Sequence, residues 1–111
     1  MLSEQDRIRL RHMLDYAQEA VELVTGRTQA DLGADRVLEL ALVRLIELVG
    51  EAATRASQAA QVQCPGIPWS LIVSMRNRLI HAYFDVNLNI VWKTVTEELP
   101  QLIKDLVRTL A

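Results

Sequence analysis

The sequence predicts an all-α fold, an up-down bundle of four main helices in a single domain over residues 1–111. Three observations point there. Apolar residues recur at helical spacing, with no strand-like alternation. The apolar mass is Leu, Ala, Val and Ile; half of the residues are hydrophobic but only 5% are aromatic. Strong breakers are few, and only "QCPGIP" (63–68) gathers two prolines and a glycine. At 111 residues the chain buries roughly two-thirds of its unfolded surface, enough for one core without disulfides or metal. The apolar share, slightly above the usual, hints that one face is covered by another chain.

"SEQDRIRLRHMLDYAQEAVELVTG" is the first helix. Ser3 caps it, Asp6 sits in its acidic first turn, and Gly26 ends it. Leu10, Met13, Leu14, Ala17, Val21 and Val24 follow helical spacing. "RTQADLGADR" (27–36) is a connector, with a single turn begun by Thr28 and interrupted by Gly33. Ala34 or Asp35 opens a long second helix through about Gln61. Its Leu38, Ala41, Leu42, Leu45, Leu48, Val49, Ala52 and Ala56 exceed one narrow stripe, so it is expected to be touched from several sides. "QCPGIP" stops it, and Pro68 suits the first turn of the third helix, from Trp69 to His81 or Phe84. Asp85, Asn87 and Asn89 offer turns and caps, and a fourth helix starts near Leu88. Pro100 is expected to kink or break that helix before Leu99.

Charge and residue counts narrow the function classes. The net charge of −2 supplies no global basic field toward nucleic acid, without excluding a local basic site. The one cysteine, Cys64, cannot form an internal disulfide, which suits a reducing cytosol. No charged-then-apolar leader opens the sequence, and no apolar run reaches the ~18 residues of a membrane span. A soluble, cytoplasmic protein without a membrane partner is therefore expected. Two histidines and one cysteine make no zinc constellation. The four glycines form no phosphate-cradling loop, and Ser70 and Ser74 lack a nearby acid for a triad. No cofactor or metal is expected. His12 and the run Arg7, Arg9, Arg11 read as solvated helix surface.

The informative stretch is "RNRLIHAYF" (76–84), polar residues set inside "WSLIVSMRNRLIHAYF". On a wheel of about 100° per residue, Ser70, Ser74, Asn77, Arg78 and His81 share one polar arc. Ile72, Met75, Leu79 and Ile80 face the other way, and Arg76 falls among them. A guanidinium cannot shed its charge, so burial demands an anion. Arg44, Glu47, Glu51 and Arg55 form a charged stripe on the second helix, and Glu47 or Glu51 is the expected partner of Arg76. Arg76 and His81 are five residues apart, turned by about 140°. They converge only if the helix ends near His81 or if the site opens between two chains.

Arg76, His81 and Tyr83 form R-x4-H-x-Y. With "GEAA" (50–53), "IPW" (67–69), "MRNRLIHAYFDV" (75–86) and "IVW" (90–92), the chain resembles HEPN-domain ribonucleases, and more narrowly the HepT toxin family. The resemblance implies a four- to five-helix bundle that dimerises, with the two motifs meeting at the interface. It implies metal-independent cleavage of RNA, tRNA or mRNA, by a homodimer or higher even oligomer. It also implies a toxin–antitoxin pair with a MntA-like nucleotidyltransferase that adds AMP to the motif tyrosine, here Tyr83. His81 then takes the ribose 2′-hydroxyl proton, as an imidazole with an ordinary pKa near ~6.5 can. Arg76 forks onto phosphate oxygens, with Asn77, Arg78, Glu47 and Glu51 in support. AMP on Tyr83 would block RNA by charge and by volume. The competing expectation is a non-catalytic helical module that binds a nucleotidyltransferase or a nucleotide.

Overall fold

The computed structural model describes residues 2–81 and 87–111, with the backbone alone for 80 and 81. Seven α-helical segments follow one another among these residues: α1 (Glu4–Val24), α2 (Gln29–Ala34), α3 (Arg36–Arg55), α4 (Gln58–Gln63), α5 (Trp69–His81), α6 (Leu88–Lys93) and α7 (Leu99–Leu110). A π-helical turn, Thr94–Glu98, joins the last two. The described residues include no strand, and none of their helices is long and apolar enough to cross a membrane. The fold is all-α.

Caps set the helix starts. Ser3, Thr28, Asp35 and Asn87 each accept a hydrogen bond from a backbone N–H of the turn they open, satisfying donors that a helix start leaves free. Thr28 and Asp31 exchange bonds in a full capping box. That box carries α2 through Gly33, so the glycine does not interrupt the turn as expected. Gly26 does end α1's connection, at φ 78°, a left-handed conformation that costs glycine nothing.

α3 packs against α1, α5, α2 and α6, the many-sided contact its apolar breadth implied. α1 also lies on α7. Their shared core holds Leu10, Met13, Leu42, Ile46, Val49 and Leu106, all fully buried.

The second long helix stops earlier than expected, at Arg55 rather than near Gln61. Ala56 and Ser57 are extended, and Ser57 starts the short α4 by accepting from the Ala60 N–H at 3.0 Å. The cause lies 51 residues away. The buried Asp6 carboxylate accepts from the Ser57 N–H at 2.9 Å and the Ser57 hydroxyl at 2.6 Å. The Ser57 hydroxyl leads the interactions that hold the Asp6 carboxyl below its ordinary pKa, followed by the Ser57 backbone N–H. A depressed folded pKa gives a stabilisation that is whole above the unfolded value and drains away as pH falls through the folded one. Asp6→Asn is therefore expected to lower Tm at neutral pH. The gap from the parent should narrow on acidification below about pH 4, as followed by circular dichroism melts.

The α-helical pattern is interrupted before Leu99, as expected from Pro100, but by a π-helical turn and not by a stop. Pro100 falls in the first turn of α7, directly after the π-turn. Proline has no N–H for the preceding turn and its ring crowds the carbonyl four residues back. The wider π-turn absorbs that mismatch: the Leu99 N–H reaches the Thr94 carbonyl, five residues back. The Thr94 and Thr96 hydroxyls donate to the Ile90 and Trp92 carbonyls at 2.8 and 2.7 Å.

Candidate active site on the fifth helix

The "QCPGIP" loop positions α5. Ile67 is buried, the Trp69 N–H donates to the Ile67 carbonyl, and the Trp69 indole N–H donates to the Cys64 carbonyl at 3.0 Å. The chain therefore enters α5 with its first aromatic ring tethered. Cys64 is buried here, and burial, then the Asp6 charge, raises its thiol pKa. That makes it a packing residue, not a nucleophile.

From that start the helical register divides the side chains as the wheel implied. Ile72, Met75 and Leu79 are buried. Ser70, Ser74, Asn77 and Arg78 are exposed, and Arg76 is half-buried. Arg76 reaches this position through Gly50 of α3. A Cβ at Gly50 would stand 2.5 Å from Arg76 Cβ, 2.8 Å from its Cδ and 3.0 Å from its Cγ. The aliphatic stem thus occupies the space that any other residue at position 50 would fill. The arginine buries its methylenes on a helix backbone and keeps its charged end free to meet an anion.

That anion is neither expected glutamate. Glu47 and Glu51 are paired with Arg44 of their own helix, at 3.2 and 3.5 Å. No ion pair among the described residues joins either one to Arg76. The charged stripe therefore closes on itself: Arg44 lies one and two turns before the two acids on the same face. Arg78 instead reaches Glu98 on the π-turn, at 3.7 Å. Glu98 escaped the sequence reading because no periodic relation links it to a residue twenty positions earlier.

α5 is described as far as His81, which stands in unbroken helical register with Arg76. The continuous helix keeps the roughly 140° between their positions. By register His81 lies one turn beyond Asn77 and Arg78. Its side chain, and Tyr83 with the rest of 82–86, lie outside the described residues.

The fold is thus an all-α bundle with an arginine laid across a helix backbone, five residues before a histidine on the same helix. The chain belongs to the HepT-like ribonuclease family, whose model, "Ribonuclease HepT-like", matches residues 13–109. A candidate RNase of Caldanaerobacter subterraneus is 38% identical over 95 residues, covering 86% of this chain and 85% of its own. A Thermococcus cleftensis protein named "Probable ribonuclease HepT" is 37% identical over 93 residues, 80% of this chain and 84% of that one. A Methanocaldococcus jannaschii candidate RNase is 28% identical over 93 residues, 84% and 85% of the two chains. No solved structure matches.

Proposed function

We propose that the protein is a metal-independent endoribonuclease toxin, with His81 as general base and Arg76 as stabiliser of the phosphate transition state. The observation that carries this is the seating of Arg76 on Gly50, in a chain of the HepT-like family. A half-buried cation with a fixed stem is pre-aimed, so it needs little reorganisation as charge develops on a phosphate. His81 removes the 2′-hydroxyl proton, and that oxygen attacks the adjacent phosphorus. The P–O5′ bond breaks, and the leaving oxygen gains a proton to end as a 5′-hydroxyl beside a 2′,3′-cyclic phosphate. Asn77 and Arg78 support the substrate from the exposed face.

The working unit in this reading is a homodimer. Unbroken helix turns Arg76 and His81 apart within one chain, so each site is completed at a seam by the second chain. A MntA-like nucleotidyltransferase restrains the enzyme by adding AMP to Tyr83, placing negative charge where RNA phosphate must lie.

The test is RNA incubated with purified protein in EDTA. Products with 5′-hydroxyl ends are the expected result, and intact RNA favours the non-catalytic module. Co-expression with the cognate nucleotidyltransferase should add AMP masses that map to Tyr83, and an unchanged intact mass would remove that mode of control.

A further inference from the structure

Among the described residues two clefts flank α5, and their chemistry differs. On one side Pro68, Leu71, Ile72, Met75 and Leu102 floor a cavity of about 250 Å³, rimmed by Glu97, Glu98 and Asp105. On the other an open groove of about 790 Å³ is lined by Gln61, Trp69, Ser70, Ser74, Asn77 and Arg78 over apolar Ala53, Ile67 and Val73. Among the described residues no carboxylate lines this second groove, in a chain with 14 Asp and Glu. A polyanion is repelled by the first cleft and admitted by the second.

We propose that the second groove is a subsite for unpaired RNA, holding the nucleotides on one side of the cut; this rests on the ribonuclease reading given above. Ser70, Ser74 and Asn77 repeat along one stripe of α5, which runs on by register to His81. From Ser70 to His81 the stripe is roughly 16 Å long, room for a few nucleotides. Its side chains are hydroxyls and amides, each able to donate and accept. Such groups match ribose 2′-hydroxyls and the Watson–Crick edges of bases, and a strand exposes those edges only when unpaired. At the head of the groove the Trp69 ring is held by its indole bond to the Cys64 carbonyl, offering an aromatic surface on which a base can stack. Arg78, at the end nearer His81, brings charge to a backbone phosphate by exchanging its 3.7 Å pairing with Glu98 for the strand.

The experiment is fluorescence anisotropy with a single-stranded RNA octamer and with a hairpin duplex, using the full chain with His81→Ala so that the RNA stays whole. Two groove variants are added on that background. Ser74→Leu fills the groove from an exposed helix position and removes a hydroxyl, and Gln61→Glu sets a carboxylate in the strand's path. The octamer should bind more tightly than the hairpin, and each groove variant should weaken octamer binding about tenfold, the scale of one base contact. Equal octamer affinity in both variants and in the unmodified groove overturns the subsite, as does equal affinity for octamer and hairpin. Groove-dependent octamer binding, together with RNA left intact in EDTA by the parent protein, would overturn the ribonuclease reading and keep the subsite.

Discussion

His81→Ala is expected to slow RNA cleavage by about 10²–10⁴-fold, the usual contribution of a general base. Arg76→Ala should cost about 10²–10³-fold, the usual loss on removing one transition-state donor. Arg76→Lys keeps the charge but not the planar fork, so it should recover only part of that loss. More informative is a mixture of the two alanine variants. If each site takes Arg76 from one chain and His81 from the other, half of the dimers formed on random exchange are mixed. Each mixed dimer then carries one intact site and one doubly damaged site. The mixture should recover roughly a quarter of the parental rate, although neither variant alone is active. If both residues act within one chain, every site in the mixture is damaged and no activity returns. Cleavage rates of the two variants, alone and after subunit exchange, distinguish the two arrangements. The continuous helix from Arg76 to His81 is the reason to expect recovery.

The residues that escaped the sequence reading share a physical character. Helix starts were legible because a cap is a local device: Ser3, Thr28, Asp35 and Asn87 act on N–H groups two or three residues away. The buried side of α5 was legible because helical register alone decides it. The break at Ser57 was not, since no proline or glycine marks it and its cause is a carboxylate on another helix. The partner of Arg76 was misjudged for a related reason. Several cations competed for Glu47 and Glu51, and Arg44 reaches both within its own helix whereas Arg76 must reach across an interface. Pro100 was legible in part: a local rule foresaw an interruption before Leu99, but not that one wide turn would form it. Of the motif itself, the seat of Arg76 is visible in the fold. The His81 side chain and Tyr83 lie outside the described residues.

Gly50→Ala isolates the seat of Arg76 from its chemistry. In an exposed helix interior this change should stabilise by about 1 kcal/mol, because alanine loses less backbone freedom on folding. Here the new methyl would stand 2.5 Å from Arg76 Cβ. That atom is fixed to the α5 backbone and cannot rotate away, so the helices must part or α5 must slide. Overpacking of this kind costs about 1–3 kcal/mol, which offsets the propensity gain and leaves a modest fall in Tm. The catalytic effect should be larger, since displacing a catalytic group by about 1 Å can cost about 10²-fold in rate. Gly33→Ala supplies the control. A Cβ there meets only Leu88 Cδ1, at 3.7 Å, an ordinary contact, so the same chemical change should raise Tm slightly and leave cleavage at the parental rate. A Gly50→Ala protein that melts near the parent yet cleaves about 100-fold more slowly would locate the glycine's role in aiming Arg76. One that keeps the parental rate would show that α5 can shift without moving the guanidinium, and that the close approach at Gly50 serves packing alone.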